Sequence, residues 1–475
     1  MNILFIYTNI NGFHTDTYSF GLASIVSNTK KYKHNTKVLL IKNQDEYQSV
    51  LNYIQSFKTD LIGFTSVSSQ FVYVSELATR IKAKFPSIII VCGGIHPTIY
   101  PGCLLEADAL DGIFIGEGEY SFVELLDRIN KGEPYFDVDN FGYSENGKVK
   151  TNRLKPLIKN LDELPFPDRV TYPFIDTLKA TGYAPFIFSR GCPYNCTYCS
   201  NHAIAKTYGK ITNTTRYRGV EKSILEIQEV ISKFPVRRVG IVDDIFGINK
   251  DWRNKFCEEY KRNIKTPFFC LLRVNLVDEE FISLLKDAGC YRLSFGVESG
   301  NEYIRNHVMN RNISTEQIVN AFALARKYRL ETNSINIIGT PQETEEMVWD
   351  TIKLNRRLKP TSSGVNIFYP YKGTKLGDEC FKKGLVNQEK YNSFSNERRE
   401  SILNYPDKYK KKLTRYQKYW EYYVYSYNIK KLIILLLRQI ILLLSQVKLL
   451  RKIKHFIVSK LSSKQNELFE ASSSE

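Results

Sequence analysis

Short apolar runs alternate with amphipathic stretches along most of the chain. Over residues 1 to about 130 the runs are "NILFIY", "KVLLI", "LIGFTSV", "IIIVCGG" and "GIFIGEGE". Between them lie segments of helical period such as "VYVSELATRIKAKF". This alternation predicts a parallel sheet with helices on both faces, a doubly wound domain over residues 1–135. Such sheets take ligands at the carboxyl ends of their strands. Those ends carry Thr65 and Ser66, then "GGIHPT" from Gly93 to Thr98, then "GEGE" from Gly116 to Glu119. Glycine pairs there let backbone approach a ligand closely, and they equally suit tight strand-to-helix turns without one. Residues 136–180 lose periodicity and contain "NLDELPFPDRVTYPF", with Pro165, Pro167 and Pro173. They are expected to be an ordered linker. A second alternation follows over 181–376, with six runs: "PFIFS", "RVGIVDD", "FFCLLRVN", "YRLSFGVE", "TNSINIIG" and "GVNIFYPY". Six strand and helix units predict a partial parallel barrel whose reacting groups sit at the strand carboxyl ends. From residue 377 to 475 the strand pattern stops and the chain reads as helical.

Composition changes this picture in two places. At 475 residues with 43% apolar content, the chain is too long for a single core and too apolar to be disordered. The formal charge of +17 invites a nucleic-acid or anionic-membrane partner. Its location decides between them: residues 401–475 hold fifteen Lys/Arg against five Asp/Glu, so the excess belongs mainly to a tail. On a helical wheel Lys430, Lys431, Arg438, Gln439, Ser445, Gln446, Lys448 and Lys452 share about half the circumference, opposite Leu, Ile and Val. The longest apolar run there is six residues, against roughly 20 needed to span a bilayer. Either a membrane surface or a protein face would suit such a helix; no nucleic acid is expected. Apart from one tight group, the cysteines (Cys92, Cys103, Cys257, Cys270, Cys290, Cys380) are scattered without framework spacing. With an N-terminus that reads as a strand and not a leader, the expected compartment is reducing and cytoplasmic, with peripheral attachment to the inner face of the membrane as an option.

The tight group is "SRGCPYNCTYCS", with Cys192, Cys196 and Cys199 directly after the first strand of the second alternation. Three thiolates plus His202 would make a Cys3His zinc site in a non-enzymatic module. Three thiolates alone would hold a 4Fe–4S cluster with one iron open to an outside ligand.

The spacing C-x3-C-x-aromatic-C, with Tyr198 as the aromatic, resembles the signature of the radical S-adenosylmethionine (radical SAM) enzymes. The resemblance implies a 4Fe–4S cluster on the three cysteines, with S-adenosylmethionine chelating the open iron and yielding a 5'-deoxyadenosyl radical. It also implies cofactor contacts at Tyr198, at Asp243 or Asp244, at Arg273 toward a carboxylate, at Glu298 and Ser299 toward the ribose, and at Asn336 and the Ile338 to Gly339 backbone toward adenine. Asp243 or Asp244 could instead cap the helix "KDWRNKFCEEY". A doubly wound domain joined to such a barrel by a "LDELPFPDR"-like linker is similar to the cobalamin-binding radical SAM enzymes. That likeness implies cobalamin beside Thr65, Ser66, Gly93, Gly94, His96, Gly116 and Gly118. A turn histidine before proline more often bonds hydrogen than cobalt, and the D-x-H-x-x-G signature of histidine-ligated corrinoids is absent around His14. Methylthiotransferases carry three further cysteines in the first domain, where only Cys92 and Cys103 occur. The family implies methylation of an unactivated carbon in a small-molecule or lipid substrate, with an electron donor such as flavodoxin or ferredoxin. Cyclisation or oxidation, with cobalamin absent or in another role, stays open, and no residue is assigned as catalytic.

Overall fold

The computed structural model describes residues 1–10, 18–210, 214–393 and 397–446. His14 and the tail beyond Gln446, including Lys448 and Lys452, lie outside the described residues. Among those described, strands β1 (Asn2–Thr8), β2 (Asn35–Ile41), β3 (Leu61–Thr65), β4 (Ile89–Gly93) and β5 (Gly112–Phe114) form a parallel sheet in the order β2-β1-β3-β4-β5. Helices α1 (Phe20–Lys31), α2 (Tyr47–Phe57), α3 (Phe71–Lys84), α4 (Ile95–Ile99) and α5 (Glu119–Lys131) connect them. Strand side chains alternate between faces, and both faces of β1 are apolar. Ile3, Phe5 and Tyr7 pack with Leu22 and Val26 of α1 and Leu125 of α5. Leu4 and Ile6 pack on the other face with Val50 of α2 and Leu77 of α3. The sheet is therefore doubly wound, and its order reverses between β1 and β3.

The stretch expected to be linker is more structured than its composition suggested. Strands β6 (Phe141–Glu145) and β7 (Lys148–Thr151) extend the first sheet as an antiparallel hairpin. The turn between them is Asn146-Gly147, both at positive φ (52° and 70°), the conformation a two-residue hairpin turn requires. After the hairpin, Arg169 fixes the linker from inside. Its guanidinium lies 2.8 Å from Glu226, donates to the Pro185 carbonyl at 3.1 Å and faces the rings of Tyr18, Phe174 and Phe186.

Beyond helix α6 (Phe174–Thr181), a second sheet contains β8 (Ala184–Phe186), β11 (Val239–Ile241), β12 (Phe268–Leu272), β13 (Cys290–Glu298), β14 (Glu331–Ile338) and β15 (Ser362–Ile367). All are parallel and in chain order. β8 and β15 remain edges, so the barrel is partial. A short antiparallel pair, β9 (Ser189–Arg190) with β10 (Arg216–Tyr217), sits just past β8. The outer helices are α7 (Ser200–Thr207), α8 (Val220–Lys233), α9 (Lys250–Asn263), α10 (Glu279–Asp287), α11 (Thr315–Lys327) and α12 (Glu345–Leu358). Side chains of Asn249, Asp278, Ser314 and Thr344 accept the first free N–H groups of α9 to α12, so each loop that carries site residues ends on a defined cap. Helices α13 (Lys375–Lys382), α14 (Gln388–Ser393) and α15 (Asp407–Lys418) follow. Contacts divide the chain after Gln417; the second unit contains α16 (Trp420–Tyr425) and α17 (Ile429–Gln446).

Arg169 and Glu226 have side chains only 4% and 1% exposed. Glu226→Ala should therefore strand a buried cation and lower unfolding free energy by about 3–5 kcal/mol. Urea unfolding of the two proteins measures this; an unchanged midpoint would mean the pair is not part of the folded core.

Candidate functional site

The cysteine loop leaves β9 at Gly191, whose φ of 91° allows the sharp exit. It is then tied on two sides. The Thr197 N–H and hydroxyl donate to the carbonyls of Met309 and Val308, and Asn310 donates to the Asn195 carbonyl at 2.7 Å. The Leu376 N–H donates to the Thr197 carbonyl at 2.9 Å. Burial pushes the Cys199 thiol up to about 12 and the Cys192 thiol upward as well. Thiols in this setting keep their protons until a metal replaces them.

Among the described residues no group of three or more His, Cys, Asp or Glu side chains converges on a single ion. By donor chemistry the three neighbouring thiols of Cys192, Cys196 and Cys199 suit an iron–sulfur cluster, which takes thiolate ligands.

Around the loop stand two arginines. Arg311 donates to the Tyr198 hydroxyl at 2.7 Å, to the Gly296 carbonyl at 2.8 Å and to Glu298 at 3.3 Å. Glu298 holds a φ of 62° where the β13 to β14 register shifts, a conformation rare outside glycine. Burial raises its carboxyl, and the Arg311 charge opposes that rise. Arg273 reaches Cys196 and is stacked on Tyr194. Arg311 and Tyr194 were not singled out from the sequence, because they lie in irregular loops with no periodic signal.

Other expected positions are turned elsewhere. Ser299 is fully buried, and its hydroxyl meets Thr351 of α12 and the Asn301 N–H. Asn336 bonds Asn355 of α12 and the Gly364 carbonyl, on the helix-side face of β14. The Ile338 side chain shares that face and is fully buried, while the contact expected there is one through the Ile338 to Gly339 backbone. The strand alternates, so Ile337 has the opposite face and packs in the cluster that includes Tyr198. Asp243 is enclosed, accepting from the Phe188 N–H at 3.2 Å and the Ser189 hydroxyl, while Asp244 borders the main cavity. Neither caps α9; Asn249 does.

That cavity, of about 420 Å³, lies at the carboxyl ends of the first sheet, where the strand order reverses. Thr65, Gly93, Gly94, Gly116 and Gly118 border it on one side, and Arg190, Gly191, Asn201 and Asp244 on the other. Phe5, Phe114, Phe122 and Ile25 make its apolar wall. At Gly93 an added Cβ would meet Phe114 at 3.7 Å, an ordinary contact, so a side chain there would fit without a clash. Gly94 and Gly116 have φ of 99° and 82° and serve the turns; a Cβ on Gly116 would strike the Tyr208 hydroxyl. Ser66 and His96 do not border the cavity. Ser66 takes the His96 N–H on its carbonyl. The His96 ring is buried against Phe71 and bonded to the Ser68 hydroxyl at 3.0 Å, and burial, aided by Lys372, moves its pKa down to about 3.

The two sides of the cavity are joined by charge. Arg190, two residues before Cys192, lies 3.0 Å from Glu117 and 2.6 Å from Glu119. Arg216, paired with Arg190 across β9 and β10, also holds Glu117 at 2.9 Å. Burial pushes the Glu117 carboxyl up, but Arg190 and Arg216 outweigh it and hold it below the usual range.

Comparison with known proteins agrees with this geometry. Residues 186–354 match the model of the radical SAM superfamily and residues 8–126 that of the B12 binding domain. An uncharacterized methyltransferase of Pyrococcus horikoshii is 31% identical over 382 residues, covering 78% of this chain and 81% of its own. The chain is a cobalamin-binding radical SAM enzyme. An anaerobic magnesium-protoporphyrin IX monomethyl ester cyclase of Rubrivivax gelatinosus is 29% identical, covering 71% of this enzyme and 62% of its own length. In fold, this radical SAM enzyme is similar to the methyltransferase TsrM from Kitasatospora setae, solved with cobalamin and a [4Fe–4S] cluster. The TM-score is 0.65 at 17% identity, over 80% of this chain and 75% of that one. The matched domains call for a 4Fe–4S cluster, S-adenosylmethionine and cobalamin as cofactors.

Burial raises the Asp243 carboxyl to about 7, against about 3.9 for a free one. The folded protein keeps that proton where the unfolded chain has released it, so this contribution is present below about pH 3.9 and lost as pH rises through about 7. Urea unfolding across that window should show a flatter pH dependence in Asp243→Asn than in wild type; parallel curves would refute the assignment.

Proposed function

We propose that this enzyme methylates a carbon atom of a small organic molecule held in the cavity between the first sheet and the cysteine loop. One observation carries the reading: the glycine-lined strand ends of the first domain and the residues flanking the cysteine loop border the same cavity. Cys192, Cys196 and Cys199 would hold the cluster; Tyr198, Glu298 and Asp244 would face S-adenosylmethionine; Thr65, Gly93, Gly116 and Gly118 would line the cobalamin. Bound there, these groups supply a carbon-centred radical oxidant and a transferable methyl group. The chain's own part is positional. Arg311 holds Tyr198 and Glu298 in fixed relation, the Phe5, Phe114 and Phe122 wall excludes water, and Asp244 offers a carboxylate to a cation or hydroxyl in the cavity. The relative matched over most of its length is a methyltransferase, which favours methyl transfer over cyclisation. A flavodoxin or ferredoxin would serve as the electron donor.

We also infer that α17 lies on an anionic membrane surface. No described helix is long and apolar enough to cross a membrane. On the wheel Ile429, Ile433, Leu436, Leu437 and Ile440 fall within about 100° of arc, and each is 45% exposed or more. Lys430 borders this stripe, Lys431 and Arg438 lie on the opposite face, and the helix has no acidic residue. A second copy would bring like charges together, whereas anionic lipid complements them. On this reading the enzyme would work at the cytoplasmic face of the membrane, where lipid as well as soluble substrates are within reach.

Two measurements test these readings. Anaerobic reconstitution should load about four irons per chain in both wild type and His202→Ala, with 5'-deoxyadenosine formed on reduction. One zinc per chain, lost in His202→Ala, would overturn the enzyme reading. Separately, full-length protein should sediment with phosphatidylglycerol vesicles at least tenfold more than with phosphatidylcholine ones. Ile433→Asp combined with Leu437→Asp should abolish the difference. Equal sedimentation with both vesicle types, or a change in oligomeric state on substitution, would replace lipid by a protein partner.

A further inference from the structure

Arg273 was expected to grip a carboxylate of S-adenosylmethionine, and the geometry gives it other work. It follows β12, and its guanidinium is only 8% exposed. Nε donates to the Asn275 side chain at 2.8 Å, Nη2 to the Arg311 carbonyl, and Nη1 to Cys196 Sγ at 3.7 Å. A bidentate grip on a carboxylate needs two free N–H groups along one edge of the fork, and each edge here already has an engaged nitrogen. The flat face is covered by the ring of Tyr194, 3.8 Å away, whose hydroxyl is held by Asn275 at 3.0 Å. Tyr194 and Cys196 both belong to the cysteine loop, so the loop wraps this one cation.

The hydrogen-bond partners of Arg273 are an amide, a carbonyl and the Sγ of Cys196. The carboxylate near it, Glu298, is paired with Arg311. A buried cation is costly without a partner of opposite charge. Of its three partners only Cys196, 3.7 Å from Nη1, would carry negative charge as a cluster ligand.

We infer that Arg273 is a positioning and tuning residue for the cluster, donating to the Cys196 thiolate and raising the cluster's reduction potential. The inference rests on the cluster reading above. Reduction adds one electron from a low-potential donor and makes the site more negative; no bond is made or broken and Arg273 keeps its proton. A nearby buried cation and an N–H···S bond both favour that added charge, and hydrogen bonds to cluster sulfurs are known levers on potential.

The test is a redox titration of the reconstituted full-length protein followed by electron paramagnetic resonance, with iron analysis alongside. Arg273→Gln should reduce the reduced-to-oxidised ratio at a fixed solution potential about tenfold, a shift of about 59 mV to more negative values for a one-electron couple. Arg273→Lys should shift it less. Both should retain wild-type iron and the spectral change on adding S-adenosylmethionine. An unchanged midpoint with full iron would overturn the inference, and a tenfold weaker response to S-adenosylmethionine at unchanged midpoint would restore the carboxylate role. If Arg273→Gln fails to load, Tyr194→Leu removes the stack and should shift the midpoint the same way; no shift there overturns the inference too. Wild type without a four-iron signal would fail the cluster reading itself, a result distinct from an unmoved midpoint.

Discussion

The site depends on Arg190. Its guanidinium is shared between Glu117 and Glu119 of the first domain, and Ser24 of α1 donates to the same Glu119 oxygen at 2.8 Å. Two residues later the chain reaches Cys192. One side chain and its two carboxylates therefore tie the glycine-lined strand ends to the start of the cysteine loop. A charge cluster this enclosed is costly unless every member is paired. Arg216 completes it, because Glu117 must satisfy two cations and the Ile158 N–H at once. Glycines at 116 and 118 alternate with those glutamates, so the same four residues turn the chain, open the cavity and clamp the loop.

Much of this was legible beforehand, and the residues show where it stopped. Both sheets announce themselves as apolar runs because their strands are buried on both faces. The three cysteines could be read because their spacing is local. The hairpin β6 to β7 was not, although "ENGK" contains a strong turn signal, because an edge hairpin with exposed Glu145, Lys148 and Thr151 has no apolar period to find. The "GEGE" motif was noticed for its glycines, while its glutamates act through Arg190 and Arg216, a pairing between residues about 70 and 100 apart that no local pattern encodes.

What was not legible in the barrel has a different cause. The sequence pattern marks position along a strand and not the partner that a polar side chain meets there. Ser334 and Asn336 alternate with Ile335 and Ile337, and the polar pair faces α12, where Asn355 of that helix and Ser363 of β15 satisfy it. A polar residue at the end of a barrel strand looks like a cofactor ligand until the outer helix is seen to carry its partner. Ser299 repeats the lesson with Thr351. Buried polar networks of this kind hold a helix in register against its strand, and they are invisible without the helix.

Arg311 shows how the remaining part of the site is assembled from segments that predict nothing alone. The turn of π-helix at Ile304–Val308 delivers residues 308 to 311 against the cysteine loop, where the carbonyls of Val308 and Met309 accept both donors of Thr197. Arg311 then spans from Tyr198 in the loop to Gly296 and Glu298 on β13. Glu298 can answer it only by adopting a left-handed backbone, which breaks the sheet register at that residue. The strain is thus local to the contact that needs it, and the two buried arginines, one paired with Glu298 and one facing Cys196, leave the cysteine loop with an uncompensated positive neighbour. That charge lies 3.7 Å from Cys196 Sγ, where a thiolate ligand of an iron–sulfur cluster would carry its negative charge.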